Sequence, residues 1–384
     1  MAEELLRRIG RALGGSGELV EVSHVHASGI SYSNIGDAGL EFILDLLAEG
    51  ARARVFATFN PAGVVLDSKA VGEEDEYLLR DYEGQWRIIR SLLAMGFRFS
   101  ATCIPYILRR PRRGEHLAWG ESSAAATANM FFAAMTNKEA GPVTLLAAAT
   151  GKTYLAGVHL GYPEPGIVFE AEPPRGIVEA GALGALVAQE ARGTTPLVRL
   201  DGGWLTGLTG FRGFAAAYAT YGPLVHGYLE SVTPVTPRPP PGVPRQRITR
   251  RDLAEWIDEH SHLDPCSADL FFTGCPHRTL GEALSIVRFV ERWRGRGFRM
   301  PVYVAVPGYY VSEPWWPRVR DYALRSGVRL LPGTCLVVAP LRGAVSSIAT
   351  DSVKAAYYLP RRHGVRVALI GLEELARRCR GVPG

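Results

Sequence analysis

Five cysteines punctuate this chain of 384 residues, and three of them occupy equivalent places in it. Cys103 (GFRFSATCIPY) follows Phe97–Ala101, Cys275 (LFFTGCPH) follows Leu270–Thr273, and Cys335 (VRLLPGTCLVV) follows Val328–Leu331. Each of those segments reads as a short strand. In open α/β sheets ligands bind outside the carboxyl ends of the strands, so three cysteines with that address are placed to converge on one point. Two readings of such a group stay open. Buried cysteine is an ordinary small hydrophobe, and convergent thiolates are soft metal ligands. A structural zinc would need a fourth ligand, for which His277 or the pair His24 and His26 are candidates. An iron–sulfur cluster on three thiolates leaves one iron open to act as a Lewis acid. Cys266 precedes its strand and Cys379 lies in a terminal helix beside Arg377 and Arg378, so both stand apart. A disulfide scaffold is not expected in a chain this long with no secretion signal.

Other motifs add less. Gly120-Glu121-Ser122-Ser123-Ala124 lacks the second glycine of a hydrolase nucleophile elbow; it reads as a helix start capped by Ser122 or Ser123, with free N–H groups that favour an anion. Gly151-Lys152-Thr153 is not a phosphate loop, because Leu146 stands where the first glycine belongs. The pairs His24/His26 and His260/His262 read as structural histidines. Ser28–Ser31 and Asn60–Gly63 are turn-like and able to present backbone N–H groups. Lys354 draws notice because only four of the 43 basic residues are lysine. Where arginine is the default, a retained lysine suits a compact charge aimed at an anionic group.

These residues need strands and helices to hold them. Thr249 and Asp252 form a capping-box start to a helix through Ile257. Leu280, Ala283, Leu284, Val287 and Val290 recur at helical spacing. Strands at 301–306, 328–331 and 365–370 alternate with helices at 316–325 and 372–378. In the first half, strands near 54–59, 97–101 and 197–200 alternate with helices near 39–48, 85–94, 123–135 and 181–190. The alternation predicts an α/β fold with mostly parallel sheets. Residues 231–247 (SVTPVTPRPPPGVPRQR) hold six prolines and read as a semi-rigid linker between lobes 1–230 and 248–384.

Composition narrows the function classes. Hydrophobic residues make up 47% and charged residues 21%, which excludes disorder over most of the chain. Apolar stretches such as Ala124–Met135 are too short to span a bilayer. The amphipathic Glu3–Ile9 segment is not a signal peptide, so the expected compartment is the cytoplasm. The net charge of +5 is spread among carboxylates without a basic run or an aromatic stripe, so no nucleic-acid partner is expected; an anionic substrate suits it better.

Taken together, His26, Ser28–Leu40 (SGISYSNIGDAGL), Thr58–Gly63 (TFNPAG), Thr102–Tyr106 (TCIPY), His116–Asn129 (HLAWGESSAAATAN), Thr136–Gly141 (TNKEAG), Gly157–Leu160 (GVHL), Gly274–His277 (GCPH), Thr334–Val338 (TCLVV) and Ser352–Tyr358 (SVKAAYY) resemble the large subunit of the aconitase X family, in the family's order. The resemblance implies a hydro-lyase of stacked α/β/α domains related to aconitase. It implies a 4Fe–4S cluster held by Cys103, Cys275 and Cys335. It implies substrate contacts at Gly29, Ile30, Ser31, Asn60, Pro61, Glu121, Ser122 and Lys354, with Glu121 orienting the substrate hydroxyl or assisting its protonation. The resemblance implies that the general base, a serine, lies on a small, swivelling-domain-like subunit of roughly 130 residues, one ordinary domain, expected here as a separate polypeptide.

Two activities are known in that family. One is dehydration of (R)-5-phosphomevalonate in an archaeal mevalonate pathway, the expected activity here; the other is dehydration of cis-3-hydroxy-L-proline. The detached small subunit, the arginine-rich, heat-adapted composition and the anion contacts at Ser31, Ser122 and Lys354 favour the first. Val64-Val65, where an acidic residue often follows the turn, and Val353, where a small residue usually precedes the lysine, depart from the family pattern. A different class of reading is a non-catalytic zinc-binding or scaffold protein.

Overall fold

The computed structural model of the chain describes residues 1–204 and 207–379. The first third runs α1 (Ala2–Ala12), β1 (Leu19–Glu21), β2 (His24–Ala27), α2 (Tyr32–Ala48), β3 (Phe56–Phe59), α3 (Tyr82–Ala94), β4 (Ala118–Trp119), α4 (Ser122–Phe132), α5 (Gly141–Thr150) and β5 (Lys152–Tyr154). The middle runs β6 (Ile167–Ala171), α6 (Ile177–Ala191), β7 (Pro196–Leu200), α7 (Gly207–Tyr221), β8 (Tyr228–Leu229), β9 (Arg245–Ile248) and α8 (Arg250–Glu259). The last part runs β10 (Leu270–Thr273), α9 (Leu280–Arg294), β11 (Val302–Val306), α10 (Trp316–Arg325), β12 (Val328–Pro332), β13 (Ser347–Thr350), α11 (Val353–His363), β14 (Arg366–Leu369) and α12 (Leu372–Arg378). The fold is mixed α/β with parallel sheets, as the alternation predicts.

Three parallel sheets organise the chain: β3-β2-β4, β8-β7-β6-β9 and β12-β11-β10-β13-β14; β1 and β5 form a small antiparallel pair. LFFT in β10 and VYVAV in β11 are buried along their whole length, the unbroken apolar run expected of strands covered on both faces. In the last sheet the chain steps from β10 to β11 and β12 on one side, then returns to β13 on the other. That reversal opens a switch-point crevice between β10 and β13. The first sheet repeats the device, with β3 and β4 on opposite sides of β2.

The carboxyl ends of these two sheets dock edge to edge. Ala62 N–H donates to Gly333 O at 2.7 Å, Cys335 N–H donates to Ala62 O at 2.9 Å, and Gly308 N–H donates to Ala101 O at 3.0 Å. The middle and last sheets share one core, in which Phe169, Val198 and Phe214 join Phe272, Ala305 and Val367. Helix starts follow local chemistry: Thr249 with Asp252 caps α8 and Thr279 with Glu282 caps α9, both as complete capping boxes. No helix among the described residues is long and apolar enough to cross a membrane.

The structure departs from the sequence reading in four places. Phe97–Ala101 is not a strand; it runs beside β3 with Arg98 N–H on Ala57 O and Thr102 N–H on Phe59 O, and Ala101 turns it away at φ 40°. The cap of α4 is Glu121, whose carboxylate accepts from Ser123 N–H, rather than Ser122 or Ser123. Residues 245–247 of the proline-rich stretch belong to β9, paired with β6. Cys266 and Cys379 are joined in a disulfide across a separation of 113 residues, where none was expected. The bridge ties α12 to the turn before β10.

Candidate active site

A cavity of about 270 Å3 lies where the two carboxyl edges meet. Cys103, Cys275 and Cys335 all line it, with Gly29, Ser31, Asn60, Pro61, Glu121, Ser122 and Lys354. All but Cys103 are carried by a turn at the carboxyl end of a strand or by the helix that follows; Cys103 follows the non-ladder segment 97–101 that runs beside β3. Gly29 and Ser31 follow β2, Asn60 and Pro61 follow β3, and Glu121 and Ser122 follow β4. Cys275 follows β10, Cys335 follows β12, and Lys354 follows β13 in the first turn of α11. Cys275 and Lys354 thus flank the switch point. Ile30 alone of the expected contacts does not line the cavity; its side chain packs into the core of the first sheet, so any contact it makes is through its backbone.

The cysteine turns share a backbone device. A left-handed residue precedes each: Ala101 at φ 40°, Gly274 at φ 112° and Gly333 at φ 68°. At Gly274 a Cβ would lie 2.6 Å from the Ala305 carbonyl oxygen and 2.5 Å from a Leu66 methyl at Gly333. Only glycine fits such a close approach at positive φ.

Glu121 and Lys354 form the charged centre. Lys354 Nζ donates to Glu121 Oε1 at 2.6 Å and to Ser122 Oγ at 3.1 Å. Asn60 Nδ2 donates to Glu121 Oε2 at 2.9 Å. Burial by itself would raise the Glu121 carboxyl, but the Lys354 charge and these hydrogen bonds outweigh it and hold it at about 2. Burial likewise opposes the Lys354 charge, and Glu121 overrides it, moving the ammonium above its ordinary range.

Behind Asn60 runs a buried chain with one consistent direction. Asn60 spends its amide N–H on Glu121, so its Oδ1 accepts from His26 Nε2 at 2.9 Å. His26 Nδ1 must then accept from Thr58 Oγ1 at 2.8 Å, which leaves Thr58 to accept from His24 Nε2 at 2.8 Å. Burial lowers His26 to about 4, so the ring is neutral at pH 7 as this chain requires. The His24/His26 pair is therefore structural and orients Asn60. His277, the other zinc-ligand candidate, donates Nε2–H to the Thr334 carbonyl at 2.9 Å; its backbone N–H meets Cys103 Sγ at 3.2 Å. His260 bonds the Trp256 carbonyl at the end of α8, and Lys152 pairs with Glu3 far from the cavity.

The thiols fit a multi-atom group better than a single ion. Among the described residues no group of three or more His, Cys, Asp or Glu is arranged to hold one metal ion. Yet the three thiols surround one cavity, and the charges of Cys275 and Cys335 both act on Cys103. Burial raises all three thiol pKa values, Cys275 to about 12. A buried thiol ionises when a cation takes the proton's place, which couples binding to proton release.

Among the polar side chains lining the cavity, Asn34, Tyr358 and Arg362 are given no site role by the sequence, although Asn34 and Tyr358 lie in segments that carry the resemblance. Tyr358 and Arg362 lie four and eight positions after Lys354, a helical spacing that was the available signal. Asn34 carries no local signal of a site role; the hydrogen bond from Arg362, 328 positions away, shows its place.

Comparison with known proteins agrees with this geometry. Residues 1–162 match the Aconitase X first domain and residues 268–380 the Aconitase X third domain. The phosphomevalonate dehydratase large subunit of Aeropyrum pernix is 32% identical over 98% of this chain and 94% of its own length. That of Methanothermobacter thermautotrophicus is 33% identical over 91% of this chain and 87% of its own. The cis-3-hydroxy-L-proline dehydratase of Pseudomonas aeruginosa is more distant, 28% identical, and this chain covers 63% of it. The crystal structure of Thermococcus kodakaraensis aconitase X in its holo-form superposes with a TM-score of 0.83 at 28% identity, covering 98% of this chain and 94% of that one. With its domains, its relatives and its fold in agreement, the chain belongs to the aconitase X family.

Proposed function

We propose that this chain is the large subunit of a cytoplasmic hydro-lyase that dehydrates (R)-5-phosphomevalonate to trans-anhydromevalonate 5-phosphate, together with a separate small subunit in a heterodimer. The observation that carries this reading is the single cavity lined by three half-buried thiols and the Lys354–Glu121 pair, in a chain whose more similar relatives are named for that reaction. Cys103, Cys275 and Cys335 would hold a 4Fe–4S cluster. Such a cluster, bound by three thiolates, supplies an open iron as Lewis acid for the tertiary hydroxyl and carboxylate of the substrate.

The chain's own residues do the rest. Lys354, ringed by Ser122 and Glu121, offers a fixed positive charge to the substrate carboxylate. Glu121 is ionised at neutral pH, so it acts as an acceptor that orients the substrate hydroxyl; the proton in the pair sits on Lys354. Glu121 is the one carboxylate among the described residues lining the cavity, and Asn60, Ser123 and Lys354 occupy its oxygens. Abstraction of the proton beside the carboxylate is therefore assigned to a base on the small subunit. The start of α2 at Ser31 and the turns at Gly29 and Pro61 present backbone around the rest of the substrate.

Iron and acid-labile sulfide analysis of anaerobically purified chain tests the cofactor. Fewer than about three irons per chain after reconstitution contradicts a 4Fe–4S cluster, and zinc without sulfide favours a structural thiolate site. Assay of both substrates with the small subunit present separates phosphomevalonate from cis-3-hydroxy-L-proline dehydration.

A further inference from the structure

The geometry points to Arg362 as the residue that recognises the substrate's phosphate and so sets specificity at the outer end of the cavity. The inference rests on the reading of the substrate as a phosphorylated β-hydroxy acid. Lys354, Tyr358 and Arg362 line the same cavity from one face of α11. Two helical turns, roughly 12 Å of rise, separate Lys354 from Arg362. The cavity thus has a cation at each end, the arrangement a molecule with an anion at each end requires.

Arg362 is exposed, and among the described residues it has no carboxylate partner. Its Nη2 donates to Asn34 Oδ1, a neutral acceptor, at 2.6 Å. Its neighbour Arg361 does the ordinary work of a basic residue at a helix end, donating to the Tyr357 carbonyl at 2.8 Å and lying 3.9 Å over the Tyr357 ring. Arg362 instead reaches across to the first turn of α2. There Ser31, the buried N-cap, makes no side-chain capping bond. Ser31, Asn34 and Arg362 all line the same cavity, with the Ser31 hydroxyl meeting Ser33 Oγ at 3.3 Å. A planar guanidinium with one neutral tether keeps donors for a phosphate in fork geometry. A substrate without charge at that end has nothing to satisfy it.

Steady-state kinetics of the complete two-subunit enzyme tests this with (R)-5-phosphomevalonate. Arg362→Ala should raise KM by about tenfold to a hundredfold, the loss of one or two charge-assisted hydrogen bonds, with kcat within about threefold. Arg362→Lys should recover part of the loss, and competitive inhibition by inorganic phosphate should weaken in step. Unchanged iron content and melting temperature in the variants show that the site is intact. If the wild-type enzyme turns over phosphomevalonate and Arg362→Ala keeps its KM within about twofold, the role of Arg362 is wrong while the activity stands. If the wild-type enzyme does not turn it over, the activity reading fails and the inference with it.

Discussion

Replacing Lys354 with methionine keeps the length of the side chain and deletes its charge. At the 2.6 Å separation of Lys354 Nζ and Glu121 Oε1, the gross attraction at an effective dielectric of 20 is about 6 kcal/mol. Much of that offsets desolvation, since both side chains are nearly nine-tenths buried. Breaking such a pair leaves Glu121 as an uncompensated buried charge, which costs about 3–5 kcal/mol. In a chain of this length that lowers the melting temperature by roughly 4–6 °C. Acid titration gives a second readout. Glu121 sits at about 2 in the folded chain against 4.5 ordinarily, so it binds fewer protons folded than unfolded. Its contribution, about 3 kcal/mol, is present above pH 4.5 and lost as pH falls towards 2. In Lys354→Met burial dominates, the Glu121 pKa rises above 4.5, and this part of the acid profile reverses sign. Thermal melts of wild type, Lys354→Met, Glu121→Gln and the double variant, at pH 7 and through the acid range, complete the cycle. The double variant should regain most of what Lys354→Met loses. A Lys354→Met melting temperature within about 2 °C of wild type, or a double variant no more stable than the single, would refute the reasoning.

Further outcomes follow from the same physics. Glu139 is buried, its Oε2 has no hydrogen-bond partner, and burial raises its pKa to about 7. It binds more protons folded than unfolded between pH 4.5 and 7, so stability falls as pH rises through that window, by about 3 kcal/mol from this group; Glu139→Gln should flatten the slope in denaturant titrations. Burial holds His26 and His226 at about 4 and His159 at about 3. These rings bind fewer protons folded than unfolded, so their share of stability is lost below pH 6.5, read as a falling melting temperature between pH 6.5 and 4. Cys266→Ala opens a loop of 113 residues, costing up to about 5 kcal/mol in chain entropy, and should lower thermal stability without changing iron content. Cys103→Ala should do the reverse, losing iron.

Much of this site can be traced from the sequence because its residues sit at chain ends of regular elements. Leu270–Thr273 and Val328–Leu331 are strands, so Cys275 and Cys335 fall at the sheet edge for the reason supposed. Cys103 reaches the same place differently: Phe97–Ala101 alternates apolar and polar residues and lies along β3 but never forms a ladder, and the left-handed Ala101 turns the chain in. The periodicity of apolar residues carries no information about such a turn. Nor does it carry the contacts made only on docking. The run from His24 through Thr58, His26 and Asn60 to Glu121 joins three strand ends, and Arg362 meets Asn34 across 328 positions. The bond between Cys266 and Cys379 is of the same kind: each cysteine looks isolated until α12 folds back beside the turn before β10.

The most direct test of the account is the conversion of (R)-5-phosphomevalonate by the anaerobically prepared complex of this chain with its small subunit, wild type beside Cys103→Ala. The account predicts dehydration by the wild-type complex and none by Cys103→Ala. Undiminished turnover by Cys103→Ala, or no turnover by an iron- and sulfide-replete wild-type complex, would contradict it.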